Sequence, residues 1–266
     1  MCQEGRGDRA YPVKPGCVYL YATCLVDQFV PEAGMDALRL LQRDGVKVLF
    51  PDGQTCCGQP AYTSGYPEQA RAVARRQIDL FPEPWPVVVL SGSCAAMMRH
   101  HYPKLFAEDP MLPKVRALAE RIFELTEFLV HVMRFSHPDA EEKCSIALHT
   151  SCHARREMGV HETNLALLRG LTNVTVLQQD RIEECCGFGG IFSIRYPAIS
   201  AAIAADKVES LRQTGSKKVV SADCGCLFNI IGRSGKLDQL AGNPTPSLTG
   251  EHIANFLWRR TAGTPS

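Results

Sequence analysis

The sequence lacks an excess of charge of either sign and lacks a long apolar segment. It has 29 Lys and Arg against 28 Asp and Glu, for a net charge of +1, which argues against a general nucleic-acid-binding protein. No apolar run approaches the ~18 residues that a membrane helix requires. Residues 17–26, the segment nearest to a secretion signal, have no basic region close upstream and no small-residue cleavage site. We therefore predict a cytoplasmic protein with no integral membrane segment and no nucleic-acid partner.

Two common motifs are also missing. No pair of cysteines has the C-x-x-C spacing that chelate loops of structural zinc sites usually use. The glycine-rich string from Cys186 to Gly190 does not match G-x-G-x-x-G, the fingerprint of dinucleotide-binding folds. The second absence argues against a nicotinamide-dependent dehydrogenase.

Cysteine is the residue type in excess, with twelve in 266 residues. This share is below the ~8–10% of a small disulfide-rich scaffold, and cytoplasmic thiols stay reduced. Metal binding or redox chemistry is therefore the expected use of most of these thiols. We interpret Cys17 and Cys144 as buried strand residues and Cys2 as a free thiol in the tail.

The cysteines form two similar sets, separated internally by 32, 1 and 37 residues in the first and by 33, 1 and 40 in the second. Equivalent positions, with Cys17 and Cys144 included, lie 127 to 132 residues apart, which indicates duplication of a unit of about 120 residues. The first cysteine set is Cys24, Cys56, Cys57 and Cys94, and the second cysteine set is Cys152, Cys185, Cys186 and Cys226.

Short apolar segments alternate with helical patterns in both halves. Strands are predicted at residues 17–22, 46–50 and 87–91, then at 145–149, 174–178 and 219–222; helices are predicted from Pro31, from Pro67, over 115–133 and over 197–213. This alternation predicts an α/β fold with two pseudo-symmetric repeated units, each with a mostly parallel sheet flanked by helices. We expect an N-terminal extension over 1–16, a first unit over 17–135 and a second over 144–260.

Every predicted cysteine ligand follows a strand, and ligand sites in such sheets gather at the carboxyl ends of the strands. Each half should therefore bring four thiols together, a donor set for an iron–sulfur cluster or zinc. The adjacent cysteines fit poorly around one tetrahedral ion but can reach neighbouring irons, so we favour two clusters, with [4Fe–4S] as the expected type. A zinc site and a reversible disulfide between adjacent cysteines are the alternatives.

The motifs resemble those of the cysteine-rich CCG domain, which occurs in the heterodisulfide reductase catalytic subunit and the glycolate oxidase iron–sulfur subunit. Within that group the chain most resembles the lactate utilization protein A family, over about residues 18–257. The resemblance lies in the strings Thr23-Cys24-Leu25-Val26-Asp27, Gln54-Thr55-Cys56-Cys57-Gly58-Gln59-Pro60-Ala61, Ser91-Gly92-Ser93-Cys94, His100-His101-Tyr102-Pro103, Leu125-Thr126-Glu127-Phe128-Leu129, Ser151-Cys152-His153 and Cys185-Cys186-Gly187-Phe188-Gly189-Gly190.

This resemblance implies an iron–sulfur electron-transfer subunit of a complex that oxidises L-lactate to pyruvate. Lactate utilization proteins B and C are then its partners, and a small 2-hydroxy acid is the substrate of the complex. The chain would be a subunit of an oxidoreductase that does not use NAD. The alternatives are thiol and disulfide chemistry of the heterodisulfide reductase kind, or a structural module that binds zinc.

The sequence departs from heterodisulfide reductase, in which each motif ends in C-x-x-C. Ser91 and Asp223 stand at the first position of that pair. Four thiols in each half suffice for a [4Fe–4S] cube, whereas an oxygen ligand from Ser91 or Asp223, or the thiol of Cys224, would permit a noncubane cluster. The choice between cubane and noncubane clusters stays open.

Four further side chains lie next to Cys152. His149 and His153 could accept the proton of a lactate hydroxyl group, although a hydrogen bond to the cluster or backbone is the reading we favour. Arg155 and Arg156 could bind a carboxylate, or could form a solvated helix face.

Overall fold

The structure, a computed structural model, describes residues 9–262. Cys2 and the first eight residues of the predicted extension lie outside the described residues. Eight short strands are β1 (Cys17–Tyr21), β2 (Lys47–Leu49), β3 (Val87–Val89), β4 (Ile122–Glu124), β5 (Cys144–Leu148), β6 (Val174–Leu177), β7 (Lys218–Ser221) and β8 (Thr249–His252).

The strands form two sheets with the same topology. The first sheet has the order β2-β1-β3-β4 and the second has the order β6-β5-β7-β8. All six strand pairs are parallel, with Tyr19 opposite Val87 in the first sheet and Ala147 opposite Val219 in the second. The predicted α/β fold with two repeated units and parallel sheets is confirmed.

Helices connect and cover the strands. They are α1 (Cys24–Phe29), α2 (Pro31–Arg43), α3 (Gln59–Thr63), α4 (Pro67–Asp79), α5 (Gly92–Ala96), α6 (Tyr102–Leu105), α7 (Leu112–Glu120), α8 (Leu125–His131), α9 (His161–Arg169), α10 (Phe192–Arg195), α11 (Pro197–Arg212), α12 (Cys224–Leu240) and α13 (Ile253–Thr261), with π-helical turns at Met97–His101 and Ala154–Met158. Among residues 9–262, none of the helices has both the length and the apolar character needed to cross a bilayer.

The single helix predicted over residues 115–133 is wrong. Helix α7 ends at Glu120, the chain forms β4 beside β3, and α8 then begins at Leu125. Apolar residues recur through the whole region because α7, β4 and α8 all contribute to the hydrophobic cores. Their spacing therefore resembles that of one long helix. The restart is encoded locally, since Glu124 and Glu127 form a capping box at the N-terminus of α8.

Strand β8 was not predicted, because Thr249, Glu251 and His252 give it a polar sequence. It pairs with β7 along its whole length, from Lys218–Thr249 to Ser221–His252. Met35, Leu38 and Leu41 have the spacing of one helix face, which predicts that Met35 lies on the apolar stripe of α2, but it is 46% exposed. The buried stripe of that helix instead contains Ala33, Ala37 and Leu40.

The side chains of each sheet alternate between two cores. Val18 and Leu20 of β1 join a large core that also contains Ile146 and Leu148 of β5, whereas Tyr19 belongs to a separate core on the outer face of the first sheet. The large core includes apolar residues of α2, α8, α9 and α13. These four helices therefore lie where the two halves of the molecule meet.

The contacts between the halves occur in equivalent pairs. Helix α2 packs on α13, and α8 packs on α9. Because α2 and α9 follow the first strand of their sheets while α8 and α13 follow the last, the same contact is made twice. An approximate twofold axis relates the two halves, as in a dimer with a self-complementary interface.

Close packing between the halves requires a residue without a side chain at Gly92. A Cβ atom at this position would lie 2.3 Å from the Cβ of Ala154. We expect Gly92→Ala to lower the free energy of unfolding of the metal-free protein by ~1–3 kcal/mol, as overpacking usually does. Gly232→Ala is the matched control, because α12 leaves open space there, and it should stabilise the protein by ~0.5–1 kcal/mol. Urea denaturation measures both, and equal effects would contradict the close contact.

A buried polar network at the junction includes Glu124, which is fully buried. Its Oε2 accepts hydrogen bonds from Thr126, whose hydroxyl group lies 2.9 Å from that of Thr163 in the other half. The other oxygen, Oε1, has no hydrogen-bond partner in the described part of the chain. Burial raises the pKa of Glu124 from 4.5 to about 8, since desolvation disfavours the carboxylate.

The raised pKa predicts that stability falls with pH. Between pH 4.5 and 8 the folded protein keeps a proton on Glu124 that the unfolded chain has lost. This contribution to stability is complete below about pH 4.5 and is lost as the pH rises to about 8, a change on the order of a few kcal/mol. In urea denaturation at several pH values, Glu124→Gln should reduce this slope, whereas the exposed Glu120→Gln should retain it. An unchanged slope in Glu124→Gln would refute the assignment.

Candidate metal centres

The first cysteine set lies at the carboxyl edge of the first sheet. Cys24 follows β1 and begins α1, the pair Cys56 and Cys57 follows β2, and Cys94 lies in α5 after β3. Neighbouring thiols of this set interact in the order Cys24, Cys56, Cys57 and Cys94, and these interactions shift the pKa values of the first three. The structure thus brings together all four residues predicted for this half.

The second cysteine set repeats this arrangement at the second sheet. Cys152 follows β5, the pair Cys185 and Cys186 follows β6, and Cys226 lies in the first turn of α12 after β7. Neighbouring thiols again shift one another's pKa values, and the thiol of Cys186 donates a hydrogen bond to the sulfur of Cys226 at 3.1 Å. The cysteines of the described residues are all free thiols.

Glycine follows both cysteine pairs and supplies a hydrogen bond to sulfur. The N–H of Gly58 donates to the sulfur of Cys56 at 3.4 Å, and the N–H of Gly187 donates to that of Cys185 at 3.3 Å. Gly187 has a φ of +81°, and a Cβ atom there would lie 2.6 Å from the carbonyl oxygen of Ser200. Only glycine therefore allows this turn to place its N–H against the sulfur.

The two members of each pair differ in charge and exposure. Hydrogen bonds from Cys24 and Cys57 lower the pKa of Cys56, and hydrogen bonds from Cys152 and Cys186 lower the pKa of Cys185. The hydrogen bond to its neighbour and burial raise the pKa of Cys57, and the same causes raise the pKa of Cys186. Each set of the metal-free protein therefore concentrates its negative charge on the first cysteine of the pair.

Two side chains hold the buried member of each pair through its carbonyl oxygen. Tyr102 donates its hydroxyl to the carbonyl of Cys57 at 2.9 Å, and Asn229 donates its amide N–H to the carbonyl of Cys186 at 2.7 Å. Neither residue was identified from the sequence. Asn229 lies one helical turn after Cys226, which is the only local signal for its role.

Ser91 and Asp223, which replace the missing thiols of the C-x-x-C pattern, bind each other. The hydroxyl of Ser91 donates to Oδ1 of Asp223 at 2.6 Å, and the N–H of Ser93 donates to the same oxygen at 3.1 Å. Within residues 9–262, Oδ2 of Asp223 has no hydrogen-bond partner. Cys224 is buried, and burial raises its pKa to about 12. Since Ser91 and Asp223 are equivalent positions, their contact places the twofold axis between the two cysteine sets.

The second cysteine set has a histidine beside it. A ring nitrogen of His149 and the sulfurs of Cys186 and Cys226 all lie within 4.8 Å of one another. Burial, with a contribution from Lys207, lowers the pKa of His149 to about 4. Thiols and a neutral imidazole are ligands for soft and borderline metals, so the donor sets of both halves fit iron or zinc.

The other candidates make contacts within the protein. His153 lies 3.6 Å from the sulfur of Cys152 through Nδ1. Arg155 contacts Nδ1 of His161 at 2.9 Å, and Arg156 donates to the carbonyl of Glu183 at 3.4 Å. His101 binds Glu157 of the other half at 2.7 Å. The arginines therefore do not converge on a shared carboxylate site.

A cleft of about 430 Å³ opens beside the first cysteine set, with Cys24 and Cys56 on its wall. The carboxylates of Asp27 and Asp52 line it, and no Lys or Arg from the described part of the chain does. An anionic ligand would be repelled from this cleft.

Comparison with known proteins adds to this geometry. The family model of the cysteine-rich domain, CCG, matches residues 18–99 and 146–231, which include both cysteine sets. Lactate utilization protein A of Bacillus pumilus is 41% identical over 223 residues, or 84% of this chain and 93% of the relative. The chain belongs to the lactate utilization protein A family.

Other relatives of this family agree. Lactate utilization protein A of Bacillus subtilis is 42% identical over 84% of this chain and 93% of its own length. Among solved structures, a hypothetical protein from Helicobacter pylori matches with a TM-score of 0.65 at 9% identity, over 94% of this chain and 50% of that protein. The latter similarity concerns the fold alone.

The unequal exposure of the adjacent cysteines predicts unequal reactivity in the metal-free protein. Cys185 is exposed and has a lowered pKa, whereas Cys186 is buried and has a raised pKa. Because the thiolate is the reactive form, iodoacetamide should alkylate Cys185 first, as tandem mass spectrometry of the shared peptide can determine. Cys56 and Cys57 provide a matched pair in the other half. Equal labelling of Cys185 and Cys186 would contradict this description of the site.

Proposed function

We propose that this protein is an iron–sulfur electron-transfer subunit of a complex that oxidises L-lactate to pyruvate. The observation that carries the proposal is the presence of two equivalent four-thiol sets in a member of the lactate utilization protein A family. Lactate utilization proteins B and C are the proposed partners, and the enzyme activity is that of the complex. The free thiols suit the reducing cytoplasm, where we propose that the protein acts.

The proposed cofactors are two [4Fe–4S] clusters, one for each cysteine set. The ligands are Cys24, Cys56, Cys57 and Cys94 for the first centre, and Cys152, Cys185, Cys186 and Cys226 for the second. Bound clusters accept and release single electrons. We place these centres in two units, residues 17–135 and 144–260, with residues 1–16 as an extension.

The chemistry of the adjacent cysteines supports iron–sulfur clusters. Two neighbouring residues can ligate different irons of one cluster, and the glycine N–H groups that already contact sulfur can stabilise its negative charge. The sulfurs of Cys186 and Cys226 are 3.1 Å apart. Two sulfurs that each bind a tetrahedral metal at about 2.3 Å lie farther apart than this, so the pair must separate when metal binds.

The charges near the first centre support electron transfer rather than substrate binding by this chain. Asp27 and Asp52 line the adjacent cleft and disfavour the lactate carboxylate. Oxidation of lactate to pyruvate releases two electrons and two protons, and two one-electron centres match the number of electrons. We propose that the partner proteins bind lactate.

Zinc binding is the second candidate function. The cluster of His149, Cys186 and Cys226 also suits a tetrahedral zinc ion in a structural module. By contrast, the hydrogen bond between Ser91 and Asp223 offers no support for the five-thiol chemistry of heterodisulfide reductase.

Metal analysis of anaerobically purified protein tests the proposal. We expect about eight irons and about eight acid-labile sulfides per chain, as two four-iron clusters require, and an EPR signal on reduction. Stoichiometric zinc without sulfide would overturn the electron-transfer function and support the structural module.

Single substitutions then test the ligand sets. Cys57→Ser and Cys186→Ser should each lower the iron and sulfide content by about half, from about eight to about four of each, because each removes a ligand of one centre. Cys17→Ser is the control, since Cys17 lies at the start of β1 outside both sets. Full iron content in both ligand variants would show that the assignment is wrong.

A further inference from the structure

His149 is a buried polar side chain beside the second cysteine set. It follows β5, and its backbone N–H donates to the carbonyl of Val220 at 2.9 Å. The side chain is 1% exposed, and neither Nδ1 nor Nε2 has a hydrogen-bond partner among the residues that the structure describes. Leaving a buried polar group unsatisfied destabilises a folded protein, so this arrangement requires an explanation.

Most polar side chains in this region are engaged elsewhere, although Oδ2 of the nearby Asp223 also lacks a hydrogen-bond partner among residues 9–262. Lys207 donates to Oε1 of Gln179 at 3.1 Å and to the carbonyl of Arg181 at 2.9 Å. Gln179 in turn donates to the carbonyl of Leu148 at 2.8 Å, and Thr150 contacts His161 at 2.9 Å. The sulfurs of Cys186 and Cys226 lie within 4.8 Å of a ring nitrogen of His149. These sulfurs would carry negative charge as metal-binding thiolates.

The equivalent position of the first half has a different residue and a different environment. Tyr21 lies three residues before Cys24, as His149 lies three residues before Cys152. The hydroxyl of Tyr21 donates to the carbonyl of Thr55 at 2.6 Å. The hydroxyl of Tyr21 therefore donates its hydrogen bond to the backbone, whereas the ring N–H of His149 is available to the second centre.

We propose that His149 donates a ring N–H hydrogen bond to the Cys186–Cys226 edge of the second cluster and raises the reduction potential of that cluster above that of the first. The inference rests on the iron–sulfur function proposed above. An imidazole has at least one N–H in either protonation state, and hydrogen bonds to cluster or ligand sulfur stabilise the more negative, reduced state. His149 is thus a positioning residue that changes the reduction potential of the cluster through a hydrogen bond to sulfur.

This difference gives electron transfer within the chain a direction. An electron that leaves the reduced first cluster moves to the oxidised second cluster, so the first is oxidised as the second is reduced and no other reactant is needed. The partner that supplies electrons would then contact the first half, and the partner that removes them would contact the second, where Cys185 is exposed.

The test uses the full chain with both clusters and compares three variants with the wild type. His149→Leu removes the donor at similar volume, His149→Gln retains an N–H donor, and Tyr21→Phe alters the equivalent position of the first half. EPR-monitored redox titration gives the midpoint potential of each cluster. Electron–nuclear double resonance in H₂O and D₂O, on protein with isotope-labelled histidine, detects an exchangeable imidazole proton coupled to the second cluster and distinguishes it from the N–H proton of Gly187.

We expect His149→Leu to keep its iron and sulfide, to shift the midpoint of the second cluster to a more negative potential and to lose the exchangeable proton. His149→Gln should restore much of the shift, and Tyr21→Phe should leave the second cluster unchanged. Absence of the exchangeable proton in the wild type would overturn the inference, even if His149→Leu fails to assemble its cluster. An unchanged potential in His149→Leu would also overturn it, as would a directly bound nitrogen. Loss of the proposed function itself is distinct, because the wild type would then hold no iron and sulfide.

Discussion

Parallel pairing of the strands is the constraint on which both cysteine sets depend. In each sheet the strand order places the second, first and third strands side by side, with their carboxyl ends at one edge. Cys24, Cys57 and Cys94 lie in three segments that follow different strands and are far apart in sequence. All three segments nevertheless begin at that common edge. An antiparallel pairing would send neighbouring loops to opposite edges and would separate the thiols.

The shared core holds the two halves in a fixed relation and leads to the contact between Ser91 and Asp223. The inner faces of both sheets and four helices bury their apolar side chains together. Duplicated units that meet around an approximate twofold axis place equivalent residues near each other at the axis. Chemical divergence at such positions then has direct consequences, since Ser91 and Asp223 form a hydrogen bond where two identical aspartates would repel each other.

The sequence predicted the central strands and helices well, because their apolar patterns match the environments they occupy. Prediction failed where the pattern did not reflect the local backbone. Residues 115–133 are apolar at helical spacing throughout, although β4 interrupts them and its pairing with β3 is a long-range interaction. Strand β8 is polar, and its pairing with β7 rather than its composition makes it a strand. The prediction for Met35 was wrong because the buried face of α2 contains Ala33, Ala37, Leu40 and Leu41, and Met35 lies outside that face.

The sequence alone established that two similar thiol sets exist and which residues compose them. The number, spacing and duplication of the cysteines, with the glycines after each pair, were sufficient for this. Those features are local in sequence or repeat along it. Only the tertiary structure decided that Ser91 and Asp223 form a hydrogen bond and that Tyr21 binds the backbone. It also decided that the ring nitrogens of His149 lie beside Cys186 and Cys226 without a hydrogen-bond partner among the described residues. These properties depend on contacts between segments far apart in the chain, because the partner of a buried polar group is set by packing rather than by its sequence neighbours.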